Sequence, residues 1–107
     1  MIFRRANRAG LVRYDAWVSI PYWGHNQIPV ESIRSAVQSK GAGRIQRLSF
    51  SVDREGGLTA RAVVTANSPL EAVSLLDEGL LEAIVATGQA EEFNVSMRTL
   101  AVCPTRT

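Results

Sequence analysis

Apolar and polar positions along this chain change period several times, and each change marks an element. From Asp15 to Tyr22 they alternate strictly. Ala16, Val18, Ile20 and Tyr22 fall on one side and Asp15, Trp17, Ser19 and Pro21 on the other, which predicts a strand over residues 14–22. Val30, Ile33, Ala36 and Val37 then recur at helical spacing, with Pro29 suited to the first turn and Gly41 suited to the position past the end. The period returns to two in residues 45–52, with Leu48, Phe50 and Val52 inward and Arg47, Ser49 and Ser51 outward. It stays at two in residues 58–66, where Leu58, Ala60, Ala62, Val64 and Ala66 oppose Thr59, Arg61, Val63 and Thr65. The loop between these runs, 53–57, contains Gly56 and Gly57 and reads as a hairpin. Ser68-Pro69-Leu70-Glu71 carries a capping box and an N1 proline. The helix it opens, 69–87, should bury Leu70, Val73, Leu76, Leu80 and Ile84. Within that helix, Gly79 suggests close approach to the sheet or to another chain. Alternation in Phe93, Val95, Met97 and Thr99 against Asn94, Ser96, Arg98 and Leu100 predicts a last strand, 93–102.

The order β-α-β-β-α-β predicts an α+β domain, a ferredoxin-like split βαββαβ. Its antiparallel four-stranded sheet would have two helices on one face, and its usual strand order is 4-1-3-2. The resemblance is to a fold covering most of residues 14–103 and implies no activity. The expected organisation is a basic arm or extra strand over 1–12, a single domain over 13–103 and a short tail over 104–107.

Composition adds boundaries. With 107 residues, 46% of them hydrophobic and 21% charged, one domain with a modest core is expected. No apolar run approaches the roughly 20 residues of a membrane span, so no membrane association is expected. The first five residues have no apolar stretch behind them that would make a secretory signal, and a cytoplasmic protein is the expectation. A single cysteine, Cys103, excludes an internal disulfide and a cysteine-based metal site within one chain. A single histidine, His25, cannot make a metal site, and no cofactor is implied.

Charge is distributed unevenly. Arg4, Arg5, Arg8 and Arg13 all precede the first acid, Asp15, and without them the formal charge falls from +2 to −2. The second helix and its exit carry Glu71, Asp77, Glu78, Glu82, Glu91 and Glu92 with no basic residue among them. The arm could lie on that acidic helix, of the same chain or a second copy, or it could attract phosphate.

Two surfaces emerge as candidates. The sheet face away from the helices is expected to present Trp17, Arg47, Arg61, Val63, Arg98 and Leu100 among serines and threonines. Apolar area at Trp17, Val63 and Leu100 suggests a contact surface. An aromatic among arginines could also stack a base and hold phosphates. Strand three nevertheless lacks the aromatic-rich stretch of an RNA-recognition domain. The other candidate is the first crossover, where Trp23 and His25 stand at a strand end; His25 is the one side chain that ordinarily titrates near neutrality. No Ser, Asp or Glu stands at a spacing that marks a triad, and no phosphate-binding glycine motif occurs.

The leading expectation is therefore a small non-enzymatic interaction protein. It would be a homodimer, formed through the open sheet face or an edge strand, acting by binding another protein. The alternatives are a nucleic-acid-binding module using the arginine arm and the open face, and a small-molecule sensor or enzyme centred on the Trp23/His25 loop.

Overall fold

The computed structural model of the chain describes residues 11–53 and 57–105. The arm residues Arg4, Arg5 and Arg8, positions 54–56 of the hairpin loop and the last two residues of the tail lie outside that description. In order, the elements are β1 (Val12–Ile20), α1 (Val30–Gly41), β2 (Ile45–Val52), β3 (Leu58–Ala66), α2 (Pro69–Thr87), two 3₁₀ turns (Ala90–Glu92 and Val95–Met97) and β4 (Thr99–Pro104). The strands form one antiparallel sheet in the order β2-β3-β1-β4. The fold is α+β, and among the described residues no helix is long and apolar enough to cross a membrane.

Both helices pack on one side of the sheet. Helix α2 lies across β1, β3 and β4, while α1 rests on β2 and on α2. The sheet's share of the core is the even-numbered set of β1 and β3 that alternation predicts, from Tyr14 to Ile20 and from Leu58 to Ala66, with Ile45 and Leu48 of β2. Helix α2 adds Val73, Leu76, Leu80, Ala83 and Ile84. Leu70, expected inside, is 73% exposed because it sits in the first turn, beyond the sheet.

Helix α2 starts as its sequence dictates. The Ser68 hydroxyl accepts from the Glu71 N–H at 3.1 Å. The Glu71 carboxylate reaches back one residue further than an ordinary capping box, accepting from the Asn67 N–H at 2.6 Å. Gly88 ends the helix at φ 80°, a left-handed cap. At the end of α1 the left-handed position is Ala42 (φ 49°) rather than the expected Gly41, which is the last helical residue. A Cβ at Gly41 would press into Ile45, so that glycine serves packing instead.

Strand β2 departs from simple alternation. Gln46 pairs with Val63 and Ser49 with Arg61, so Arg47 and Leu48 together oppose one residue. This β-bulge puts Arg47 at φ 54°, a left-handed conformation that costs a non-glycine residue about 1–2 kcal/mol. Because of the extra residue, Ile45 and Leu48 are both buried on the helix side although they stand three apart. Arg34 of α1 secures the bulge by donating to the Leu48 carbonyl at 2.7 Å. Phe50 packs partly buried against the core, whereas Val52, expected inward, is exposed at the strand end.

The largest correction concerns the C-terminal strand. Phe93 makes only an isolated bridge to Tyr22, Val95–Met97 is a 3₁₀ turn, and β4 begins only at Thr99. Phe93 is core and Val95 packs partly buried against it. The strand register sets Val18 opposite Leu100 and Ala16 opposite Val102, which turns Leu100 to the helix side. Arg98 also leaves the expected surface and forms a bidentate pair with the buried Asp77 of α2, at 2.7 and 3.0 Å.

Candidate functional site

The face of the sheet opposite the helices is built in rows by the strand register. Gln46, Val63, Asp15 and Cys103 stand side by side across the four strands. The next row is Ser49, Arg61, Trp17 and Ala101, and the one after it Ser51, Thr59, Ser19 and Thr99. Arg13, opposite Thr65, continues the β1 set beyond Asp15. At the centre, the Arg61 guanidinium lies 5.1 Å from the centroid of the Trp17 ring, a cation–π contact that orders both side chains. Below it, the Ser19 and Thr59 hydroxyls share a hydrogen bond of 2.8 Å.

Beside this centre is a depression of about 230 Å³ lined by Asp15, Arg47, Ser49, Arg61, Ala62 and Val63. The bulge accounts for it, because the left-handed turn at Arg47 keeps that side chain on the open face next to Arg61. Val63 forms part of its lining and is only 7% exposed, so the residue expected as an apolar contact patch is covered. With Leu100 on the other side of the sheet and Trp17 half-buried beneath Arg61, the open face is polar and cationic rather than apolar.

The cations themselves divide by face. On the helix side, Arg34 is paired with Glu31, Lys40 with Glu82, Arg44 with Glu71 and Arg98 with Asp77. Among the described residues, Arg13, Arg47 and Arg61 have no carboxylate partner, and these three share the open face. Proton affinities follow the pairing. The hydrogen bond to the Asp77 carboxylate raises the Arg98 pKa, and that to Glu82 raises Lys40. The Asn67 N–H, then the nearby Arg44 charge, hold Glu71 below the ordinary carboxylate value. Three of the four acids of α2, Glu71, Asp77 and Glu82, thus have an internal cation, and Glu78 has none among the described residues.

The first crossover is a different kind of place. Tyr22 bridges to Phe93, their rings 4.7 Å apart, and the single proton of the Tyr22 hydroxyl is shared between the Asn26 carbonyl at 2.6 Å and the Glu92 carboxylate at 2.9 Å. Burial, followed by the Glu92 charge, raises the Tyr22 pKa. Gly24 makes this possible, since a Cβ there would run into the Tyr22 hydroxyl and Glu92. Trp23 is 61% exposed, with its indole N–H on the Glu91 carbonyl at 3.3 Å, and His25 is exposed beside it. The adjacent depression of about 320 Å³ is lined by Tyr22, Gly24, Asn26, Gln27, Ile28, Val30 and Val52, and neither Trp23 nor His25 lines it. This loop is anchored on the 90–94 segment; the Glu92 carboxylate and the Tyr22 hydroxyl lie against Gly24, between the two candidate residues, and are bonded to each other.

The structure therefore collects Trp17, Arg47, Arg61 and Val63 on one surface and separates Arg98, Leu100, Trp23 and His25 from it. It adds Asp15, which the alternation of β1 already placed with Trp17, and Arg13, which was counted with the basic arm and which extending that alternation by two residues would have placed there. No family model, no curated protein and no solved structure matches the chain.

Proposed function

We propose that this chain is a small non-enzymatic interaction protein of the ferredoxin-like split-βαβ class. In this reading it works in the cytoplasm as a homodimer. Its working surface is the open sheet face, and its partner is a protein that presents acidic side chains. The observation that carries the reading is the division of cations. Every described lysine or arginine on the helix side has an internal carboxylate, while Arg13, Arg47 and Arg61 on the open face have none among the described residues. Arginine's planar fork of donors suits carboxylates bidentately. The depression at Arg47, Arg61 and Ser49 has room for one such group, with Asp15 at its wall disfavouring a misplaced acid.

The same arginines, with Trp17 between them and the basic arm nearby in sequence, also suit phosphate, and nucleic-acid binding is the second reading. Arg61 already occupies one face of the Trp17 ring, which leaves less of it for a base. The test compares the full chain with its Arg47→Glu/Arg61→Glu variant in a pull-down read by mass spectrometry, beside a fluorescent oligonucleotide at near-physiological salt. The proposal expects specific proteins held by the wild type and lost by the variant, with negligible oligonucleotide binding. Tight oligonucleotide binding abolished by the same substitutions would replace it with the second reading.

A further inference from the structure

The two edges of the sheet are not alike. At the β2 edge the bulge at Arg47 breaks the ladder, a common way of protecting an edge against pairing with another chain. The β4 edge has no bulge, and its one protecting device, Pro104, stands at its last position. From Thr99 to Pro104 it carries no charge and no bulge, and its register with β1 is continuous.

The direction of its backbone groups follows from two hydrogen bonds at its ends. The Thr105 N–H donates to the Arg13 carbonyl at 3.0 Å, and the Asn94 N–H donates to the Pro21 carbonyl at 2.8 Å. The odd residues of β1 therefore turn their N–H and C=O toward β4. In an antiparallel ladder these groups alternate, so Thr99, Ala101 and Cys103 point theirs back at β1. Leu100 and Val102 point theirs outward, and Pro104, which has no N–H, is the third outward residue. Leu100 is 38% exposed and Val102 partly so, and Met97, at 65%, lies just before them.

From this geometry we infer that the β4 edge pairs with β4 of a second copy of the chain, antiparallel, about a two-fold axis at Ala101. This rests on the homodimer reading above and specifies its surface and register. With the axis at Ala101, Leu100 of one copy faces Val102 of the other. Each exchanges both N–H and C=O, so four hydrogen bonds form, and only the Pro104 carbonyl, beyond the last pair and opposite Arg98 of the other copy, is left to solvent. Moving the axis to Val102 would also allow four hydrogen bonds, but it would set the Pro104 ring, which has no N–H, against the Leu100 carbonyl inside the ladder. Moving it to Leu100 would set Val102 against Arg98, whose N–H is already given to the Val95 carbonyl at 3.3 Å. In the chosen register, Leu100 and Val102 meet their opposite numbers on the helix side, an apolar pair at each end. A strand without charge meets its own copy without repulsion. The two sheets become one of eight strands, and the two arginine-bearing open faces become continuous across Ala101.

Cross-linking tests the register directly. At a non-hydrogen-bonded antiparallel pair the Cα atoms stand about 4.5 Å apart, within disulfide reach. In a Cys103→Ser background, Ala101→Cys should be converted to covalent dimer by mild oxidation with oxidised glutathione. The natural Cys103 should not cross-link, because its counterpart lies four residues along the strand, roughly 14 Å away. Sedimentation of the wild type should give a dimer. Val102→Pro, which removes an outward N–H without touching the β1 ladder, should give a folded monomer by sedimentation and circular dichroism. A dimeric wild type whose Ala101→Cys form stays uncross-linked would overturn this interface and leave the homodimer reading standing. A monomer at all concentrations would overturn both.

Discussion

Arg98 and Gly79 show how far a single position can be read without its neighbours. Alternation assigns Arg98 to the open face, but the chain turns before it becomes a strand, and the guanidinium goes to Asp77 instead. A glycine in mid-helix suggests a close approach. In fact a Cβ at Gly79 would lie 3.6 Å from Val37 Cγ1 and 3.7 Å from Lys40 Cγ, ordinary contact distances. Gly79 faces α1, and nothing there requires its absence of a side chain. Gly79→Ala should therefore stabilise the fold by about 1 kcal/mol, the difference in helix propensity, as measured by urea denaturation. Glu71 gives a pH-dependent expectation. Its folded pKa lies below the ordinary 4.5, so the stability it contributes is present above 4.5 and is lost as pH falls through the lowered value. Unfolding curves collected down to about pH 3 should show the wild type losing stability on acidification more steeply than Glu71→Gln. Parallel curves would mean that the carboxylate's charge contributes nothing at that cap.

Most elements could be read from the sequence because their period and their punctuation agree. Residues 45–52, 58–66 and 69–87 are bounded as their alternation, glycines and capping serine predict. Failure came where local pattern and tertiary path disagree. Residues 93–98 alternate well enough for a strand, yet Tyr22 and the Trp23 backbone hold Phe93 and Glu92 at the end of β1, and the segment makes a 3₁₀ turn at Val95–Met97 before it can join the sheet. The β2 bulge was equally hidden, since inserting one residue leaves Arg47 outward and Leu48 inward, as unbroken alternation would. The register shift, the positive φ of Arg47 and the burial of both Ile45 and Leu48 reveal it. At this scale the strongest claim is the face of α2. Leu76 is fully buried between α2 and the sheet, and Leu76→Ala should cost about 2–5 kcal/mol by denaturant titration. A loss below roughly half a kcal/mol would put that site outside a packed core.

At the scale of the whole molecule, the helix side pairs its own cations, and among the described residues Arg13, Arg47 and Arg61 of the sheet side have no carboxylate partner. The sequence showed the basic arm and the arginine excess but not this partition, because ion pairs such as Lys40–Glu82 and Arg98–Asp77 join residues far apart in the chain. The two tryptophans report on the two candidate surfaces separately. Trp17 lies under Arg61 on the open face, and Trp23 stands on the crossover loop. Their indole N–H signals in a nitrogen–proton NMR spectrum, followed while a glutamate-rich peptide is titrated into the full chain at moderate salt, test the central claim most directly. The account predicts that the Trp17 signal shifts progressively with the backbone signals of Arg47, Ser49 and Arg61, that Trp23 stays in place, and that added salt reverses the change. A shift confined to Trp23, or no shift at either indole, would contradict it.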